Sequence, residues 1–455
     1  EAQIKEILTG NWKRKLAWFL EDGLPKVHQK DGELATEEYL AAILISYADM
    51  KIPGVNEEAK KLAEKLEEAE LFAYMQVLYE KWIKNGAQSK QKWVLYAAAI
   101  HGGEWIVPII NVQIQEWPKA ARGAIAAIAV KALALNGTSS AFLAVDQLAR
   151  KCKFRQIKGA AAEALDLAAE QLHISREELE DRIVPNLGFD NQAEQIFDYG
   201  TRKFRVVLTP ALTLEVYDEK GKQLKNLPSP GKQDDPVIAK AANDAWKLLK
   251  KQLKTVIANQ KIRLEQTFIT ERTWKADKWQ ALFVKNPVMH PFAMGLVWGV
   301  YQEGTLTDTF RYMEDGTLNT ADEDEYELLE DAVVGLVHPI ELSEESLEAW
   351  KEQLSDYEIV QPITQLTRPV YRVTEEEKEE KDLIRFGGMV LNGLALSGKL
   401  LNMGWYRGDV EDAGLYYSFY RYDEKLSVEL EFSGCCVDYA NEDVVVYEAY
   451  FYKPG

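Results

Sequence analysis

Two alanine-rich stretches of this chain repeat one another. Lys119-Ala120-Ala121-Arg122-Gly123-Ala124-Ile125-Ala126 answers to Arg155-Gln156-Ile157-Lys158-Gly159-Ala160-Ala161-Ala162, about 36 residues further on. Gly102 and Gly137 occupy the matching turn of successive units. A period of that length suits a helix pair that cannot bury its apolar face alone and must stack on its neighbours. The helices predicted over Ala124–Leu135 and Ala160–Leu172 are rich in small side chains, which let helix axes approach closely. A HEAT-like or armadillo-like solenoid is therefore expected for residues 1–185, with an irregular helical bundle as the alternative.

The rest of that segment agrees. Apolar residues recur at helical spacing in Lys13–Leu20, Tyr39–Tyr47, Phe72–Ile83 and Val94–Ile100. Breaks fall at Asp22-Gly23, Pro53-Gly54, Asn85-Gly86, Gly102-Gly103 and Asn136-Gly137, where Gly or Asn can close a helix in the left-handed region. After Pro185-Asn186-Leu187-Gly188 the period changes. Lys203–Leu208 and Leu212–Tyr217 read as strands, and a long helix is predicted over Asp235–Thr270, with Trp246, Leu249, Leu253 and Val256 on one face and lysines on another. Residues 186–275 thus form a small β element with a connecting helix.

Residues 276–455 read as α+β with an antiparallel sheet. Strands are predicted at Met294–Tyr301, Thr307–Met313, Val333–Val337, Leu415–Tyr422, Val428–Phe432 and Val444–Tyr452, and helices from Ser343 to Leu354 and over Asp382–Leu401. The fold class is therefore multidomain, an α part followed by an α+β part.

Acidic residues outnumber basic ones, 73 to 54, for a net charge of -19. That field repels a phosphate backbone, so nucleic-acid binding through the lysine face of the long helix is disfavoured. Three cysteines, Cys152, Cys435 and Cys436, make neither a disulfide framework nor a metal site, and a reducing, cytoplasmic setting is expected. No apolar run approaches ~20 residues, so no membrane span is expected. The chain opens at Glu1 rather than Met, which predicts a piece of a longer protein.

Phosphate-cradling glycine loops, nucleophile elbows and His-Glu-x-x-His are absent, and nothing demands a cofactor. The acidic stretch from Glu314 to Glu327 lacks the spacing of a calcium loop and reads as a solvated turn. Six residues are left as ligand-binding candidates. His290 and His338 each precede a proline beside a strand-like run; two imidazoles meeting in a cleft could do acid–base work, whereas separately each would plug a strand end. Arg272, Trp274, Arg311 and Arg368, with Trp279 nearby, are equipment for planar anion recognition or for buried Arg–carboxylate pairs. At least one of Arg311 and Arg368 is expected to pair with an Asp or Glu of the α+β part.

Several stretches in order carry a family resemblance. They are Arg176 to Gly188, Tyr199-Gly200-Thr201-Arg202-Lys203-Phe204, Arg263-Leu264-Glu265-Gln266 with Arg272-Thr273-Trp274, His290-Pro291, Leu296-Val297-Trp298-Gly299, Phe310-Arg311, His338-Pro339 and Gln361 to Tyr371. Together they resemble the bacterial domain of unknown function 4132, found in molybdate-metabolism-regulator-like proteins, some of which carry a WGR domain. The resemblance spans about Ala97 to the C-terminus, with Ile363 where the family often has Phe. It implies an uncharacterised module of a longer bacterial protein, with genes for MoxR-type AAA ATPases or von Willebrand A domain proteins near some members. It supplies no catalytic residue. The expectation is a non-enzymatic cytoplasmic adaptor that binds a protein partner through its helical repeats. The alternative is an enzyme or small-ligand module with a cleft in the α+β part.

Overall fold

The computed structural model describes residues 2–21, 23–422, 425–438 and 440–453, so Asp22 of the expected first turn lies outside the described residues. The chain divides into two compact units, Glu1–Pro185 and Asn186–Gly455. Mixed α and antiparallel-β composition is as the sequence leads one to expect.

Seven helices carry the core of the first unit: α1 (Glu37–Ala48), α2 (Glu68–Lys84), α3 (Trp93–His101), α4 (Ile106–Glu116), α5 (Gly123–Ala134), α6 (Ser139–Lys151) and α7 (Arg155–Gln171). Hydroxyl caps start two of them: Thr36 accepts from the Tyr39 N–H at 3.1 Å, and Thr138 from the Ala141 N–H at 3.2 Å. Helix α5 packs on both α3 and α7, and α4 packs on α6, so helices two apart in sequence are neighbours in space. The contact faces include Ala126 and Ala129 of α5 and Ala161 and Ala164 of α7, all buried.

Polar ties cross from turn to turn at nearly the repeat spacing. Arg122 donates to the Gly86 carbonyl at 3.0 Å, and the Asn136 side chain donates to the carbonyls of Ala99 and Gly103 at 2.8 and 2.9 Å. Ser140 donates to the Glu104 carboxylate. Gly103 has a φ of 68°, and a Cβ there would lie 2.6 Å from the Phe72 ring, so only glycine fits this turn. At the end of α3, buried His101 meets the Tyr47 hydroxyl through Nε2 at 2.6 Å. Burial lowers the imidazole pKa to about 4, so the ring is neutral at pH 7.

Among the described residues the second unit contains three sheets. Strands β1 (Glu194–Asp198), β2 (Lys203–Leu208), β3 (Leu214–Tyr217) and β4 (Gln223–Leu224) form an antiparallel meander. Leu212 is not part of β3, because its φ of 63° belongs to the turn before the strand. Helix α8 (Pro236–Thr270) packs on β1, with Phe197 edge-on to Trp246 at 5.9 Å. Asp235 caps α8 by accepting from the N–H groups of Val237 and Ile238 at 3.0 Å. Arg202 holds buried Asp234 through two bonds of 2.9 and 3.0 Å. Between them Gly200, at φ 88°, leaves the space where a Cβ would sit 2.7 Å from that of Asp235.

The second sheet runs in the order β5 (Thr273–Lys275), β10 (Val333–Leu336), β6 (Val297–Gln302), β7 (Thr305–Tyr312), β8 (Leu318–Asn319) and β9 (Glu325–Tyr326). Helix α9 (Glu344–Asp356) covers it, placing Trp350 among Val297, Val337, Leu354 and Leu366. The stretch expected as a strand from Met294 begins only at Val297, because His290–Met294 is a short helix. Asp315 accepts from the Thr317 N–H and hydroxyl in the β7–β8 turn, at 3.0 and 2.6 Å.

The third sheet contains β11 (Asp382–Leu383), β16 (Asp443–Tyr452), β15 (Ser427–Cys436), β14 (Leu415–Tyr422) and β13 (Tyr406–Arg407) in that order; β12 (Val390–Asn392) also pairs with β16. A continuous helix over Asp382–Leu401 is not what forms: only Gly393–Asn402, α10, is helical. Gly388, at φ 87°, turns the chain between β11 and β12, and both strands find their hydrogen-bond partner in β16. The core on the α10 side is Tyr416, Phe419, Phe432, Cys435 and Val444.

Candidate functional site

The C-terminal end of α8 borders a cavity of about 550 Å³ whose other walls come from β5, β6, β10 and the segments around His338 and Tyr371. A glycine pair shapes one wall. Gly299 and Gly335 face each other across β6 and β10, and a Cβ on Gly335 would lie 2.9 Å from the Tyr301 ring. The ring occupies the groove that these two missing side chains leave.

His338 follows β10 directly. Its backbone N–H donates to Glu341 at 2.9 Å, and its Nδ1 accepts from the Ile340 N–H at 3.0 Å. An acceptor Nδ1 puts the ring proton on Nε2. Burial and then the nearby Arg368 guanidinium hold the imidazole below its ordinary pKa, so His338 is a neutral hydrogen-bond donor at pH 7. Glu341 also accepts from the Tyr301 hydroxyl at 3.0 Å, and burial with that carboxylate pushes the phenol up.

Arg272 lines the same cavity with its guanidinium over Trp274, 4.6 Å from the ring centroid. Arg368 adjoins it through Phe268: the guanidinium lies 4.2 Å from that ring, and His338 meets the same ring edge-on at 5.6 Å. Arg368 pairs with Glu265 at 2.5 Å and donates to the Thr364 carbonyl, so its carboxylate partner comes from α8 and not from the α+β part where one is expected. Lys425 and Glu271 pair at the rim.

The six candidates therefore do not form one site. Arg272, His338 and Arg368 come together. Trp274 is buried beneath Arg272 in an aromatic cluster with Phe283 and Trp298. His290 lies elsewhere, with Nδ1 donating to the Val284 carbonyl at 3.1 Å and its ring edge-on to Tyr312. Arg311 is buried, and its Nε donates to the Gln353 side chain at 2.9 Å. No carboxylate pairs with Arg311 among the described residues, and its guanidinium lies over the Tyr357 ring at 4.7 Å. The two imidazoles never meet, which removes the acid–base pair that two His-Pro sequences suggest.

Sequence reasoning also missed residues. Tyr301, Glu341 and Tyr371 line the cavity with no motif to mark them, although paired glycines in two neighbouring strands signal a cleft there. With Nδ1 occupied and a proton on Nε2, His338 lacks the free lone pair of a general base. The arrangement offers an aromatic wall, a neutral donor and a cationic edge, which is equipment for holding a ligand. No group of three or more His, Cys, Asp or Glu among the described residues could hold a metal ion. No helix among the described residues is long and apolar enough to cross a membrane.

Two comparisons show what the chain is similar to. Residues 221–405 match a family described as a domain of unknown function, DUF4132. The chain is also similar to the uncharacterized protein YehI of Escherichia coli strain K12, at 32% identity over 352 residues. That match covers 76% of this chain, which spans 29% of the length of its relative. No solved structure matches.

Proposed function

We propose that this chain is an adaptor that binds a protein partner through the first unit, built as a HEAT-like or armadillo-like stack. The ladder of turn-to-turn ties, from Arg122 to Gly86 and from Asn136 to Gly103, supports that reading, because stacked repeats hold their register through such contacts. The observation that carries it is an exposed apolar row that starts just before α4 and continues along it. Trp105 is 76% exposed and Val112 65%, and exposed Pro108 lies between them on the same face. A solvated Trp at the head of an apolar row is the residue type that anchors protein interfaces.

The partner classes are those the family resemblance implies, a MoxR-type AAA ATPase or a von Willebrand A domain protein, in the cytoplasm. An adaptor also accommodates the molybdate-metabolism-regulator label of similar proteins, since a regulator can act through protein contacts alone. The test is surface plasmon resonance of the purified chain against purified proteins of those two classes. Binding that falls at least about tenfold in Trp105→Ala supports the reading, and unchanged binding removes it.

The cavity at His338 favours a second reading, a small-ligand module in the second unit. Its test is a fragment screen by thermal shift on the wild type and on Arg272→Ala and His338→Ala. Hits that vanish in both variants would support it.

A further inference from the structure

Helix α8 carries a basic ridge that neither reading above uses. Lys240, Lys247, Lys250, Lys251, Lys254 and Lys261 are all exposed. At about 100° per residue they fall within an arc of about 100°, and they span about 31 Å of helix. From Ala245 to Leu264 there is no acidic residue. Lys240 pairs with Asp244 at 2.7 Å, and Lys250 lies over the Trp246 ring at 5.2 Å. Lys247, Lys251, Lys254 and Lys261 have no ion pair among the described residues.

An apolar row runs beside the ridge. Val237 is 78% exposed and Leu248 54%, and exposed Ala241 lies between them, about a quarter-turn from the lysines. Six like charges on one face cost self-repulsion, and in a chain of net charge -19 they are out of keeping with the rest of the sequence. Opposite charge laid along the ridge would relieve both.

We infer that this face of α8 docks an acidic amphipathic helix of a partner protein, its carboxylates on the lysine ridge and its apolar side chains on Val237 and Leu248. This surface goes beyond the adaptor reading, since it lies on the second unit and owes nothing to Trp105. A duplex is the poorer fit. Phosphates have no use for the apolar row, the ridge has no exposed aromatic between its lysines, and the whole-chain field opposes a polyanion. An anionic bilayer meets the same field, and two isolated apolar side chains bury too little to anchor a helix in lipid.

The test uses the full chain and a fluorescein-labelled synthetic helix of about 21 residues, long enough to match the ridge. It carries a leucine row flanked by glutamates. Fluorescence anisotropy should show binding that weakens with added salt. The triple variant Lys247→Glu, Lys251→Glu, Lys254→Glu and the milder triple glutamine variant should each lose at least about tenfold in affinity, with circular dichroism unchanged. Leu248→Gln should lose less, and Trp105→Ala nothing. A peptide with its leucines replaced by glutamine should bind more weakly than the parent. The inference is overturned if the parent peptide does not bind, if the triple variants bind as the wild type does, or if a duplex DNA or phosphatidylserine vesicles bind this face more tightly than the peptide.

Discussion

Gln365 hydrogen-bonds both backbone groups of Val297, 68 positions away in sequence. Its Oε1 accepts from the Val297 N–H at 2.9 Å and its Nε2 donates to the Val297 carbonyl at 2.7 Å, with a second bond to the Val337 carbonyl at 2.9 Å. The side chain is fully buried, so it acts as a short strand, completing the ladder where β6 and the chain after β10 begin to part. Gln365→Leu would take this partner from the Val297 N–H and the Val337 carbonyl, while the Val297 carbonyl keeps the Val337 N–H at 3.4 Å. We predict a loss of roughly 3 kcal/mol, since each such group costs about 1–3 kcal/mol and some relaxation is available. The urea midpoint measures it, and a midpoint within experimental scatter of wild type would refute the role.

Arg311 and Gln353 form a buried pair with a directional dependence. Removing the arginine leaves one amide oxygen unpaired, whereas removing the glutamine leaves a buried cation without this acceptor and takes the Gln353 Nε2 from the Thr320 and Ala321 carbonyls, to which it donates at 3.0 and 3.3 Å. Arg311→Met is therefore expected to cost about 1–3 kcal/mol and Gln353→Met more, roughly 3 kcal/mol or above, because it breaks a hydrogen bond to a charged group and takes a donor from two carbonyls as well. The double variant should cost less than the sum of the two. Additive values in a double-mutant cycle would show that the contact does not couple them.

His101 sets a pH dependence. In the unfolded chain its pKa is near 6.5, while in the folded protein burial lowers it to about 4. Between those values the unfolded state binds a proton that the folded state refuses, so stability falls as pH drops through that window and levels off below about 4. At about 1.4 kcal/mol per pH unit the full effect is roughly 3 kcal/mol. Stability of His101→Phe should lack this component between about pH 6.5 and 5. Parallel wild-type and variant curves in that interval would exclude His101 as its source.

Asn136 tests the ties between helical turns. Its side chain donates to two carbonyls, of Ala99 and Gly103, so Asn136→Ala should cost about 1–2 kcal/mol. Amide hydrogen exchange should then speed up in the turns on both sides of the tie. Acceleration confined to the turn that holds Asn136 would mean that the successive turns are not coupled.

Local sequence signals alone determined the helical character of residues 1–185, the start of α8 at Asp235, the cap at Ser343 and the six longest strands of the two larger sheets. These follow from interactions within a few residues: apolar spacing of 3.6 or 2, a hydroxyl or carboxylate at an N-cap, a glycine at a left-handed turn. The stretch Asp382–Leu401 escaped that logic. Its apolar spacing suits a helix in spite of the glycines, but β16 supplies strand partners that local propensity cannot see.

The candidate site divides along the same line. That Arg272, His338 and Arg368 are polar residues beside apolar runs is plain from the sequence. That His338 and Arg368 share Phe268 and that His338 and Arg272 line one cavity, while His290 and Arg311 serve separate contacts, is a matter of which strands pair and where α8 ends. Tyr301 reaches the cavity because Gly299 and Gly335 face each other across two strands, and Gln365 matters because Val297 lies beside it. Residue type sets what a side chain can donate, accept or bury. Only the folded chain, by bringing distant backbone into contact, decides which of those capacities is used.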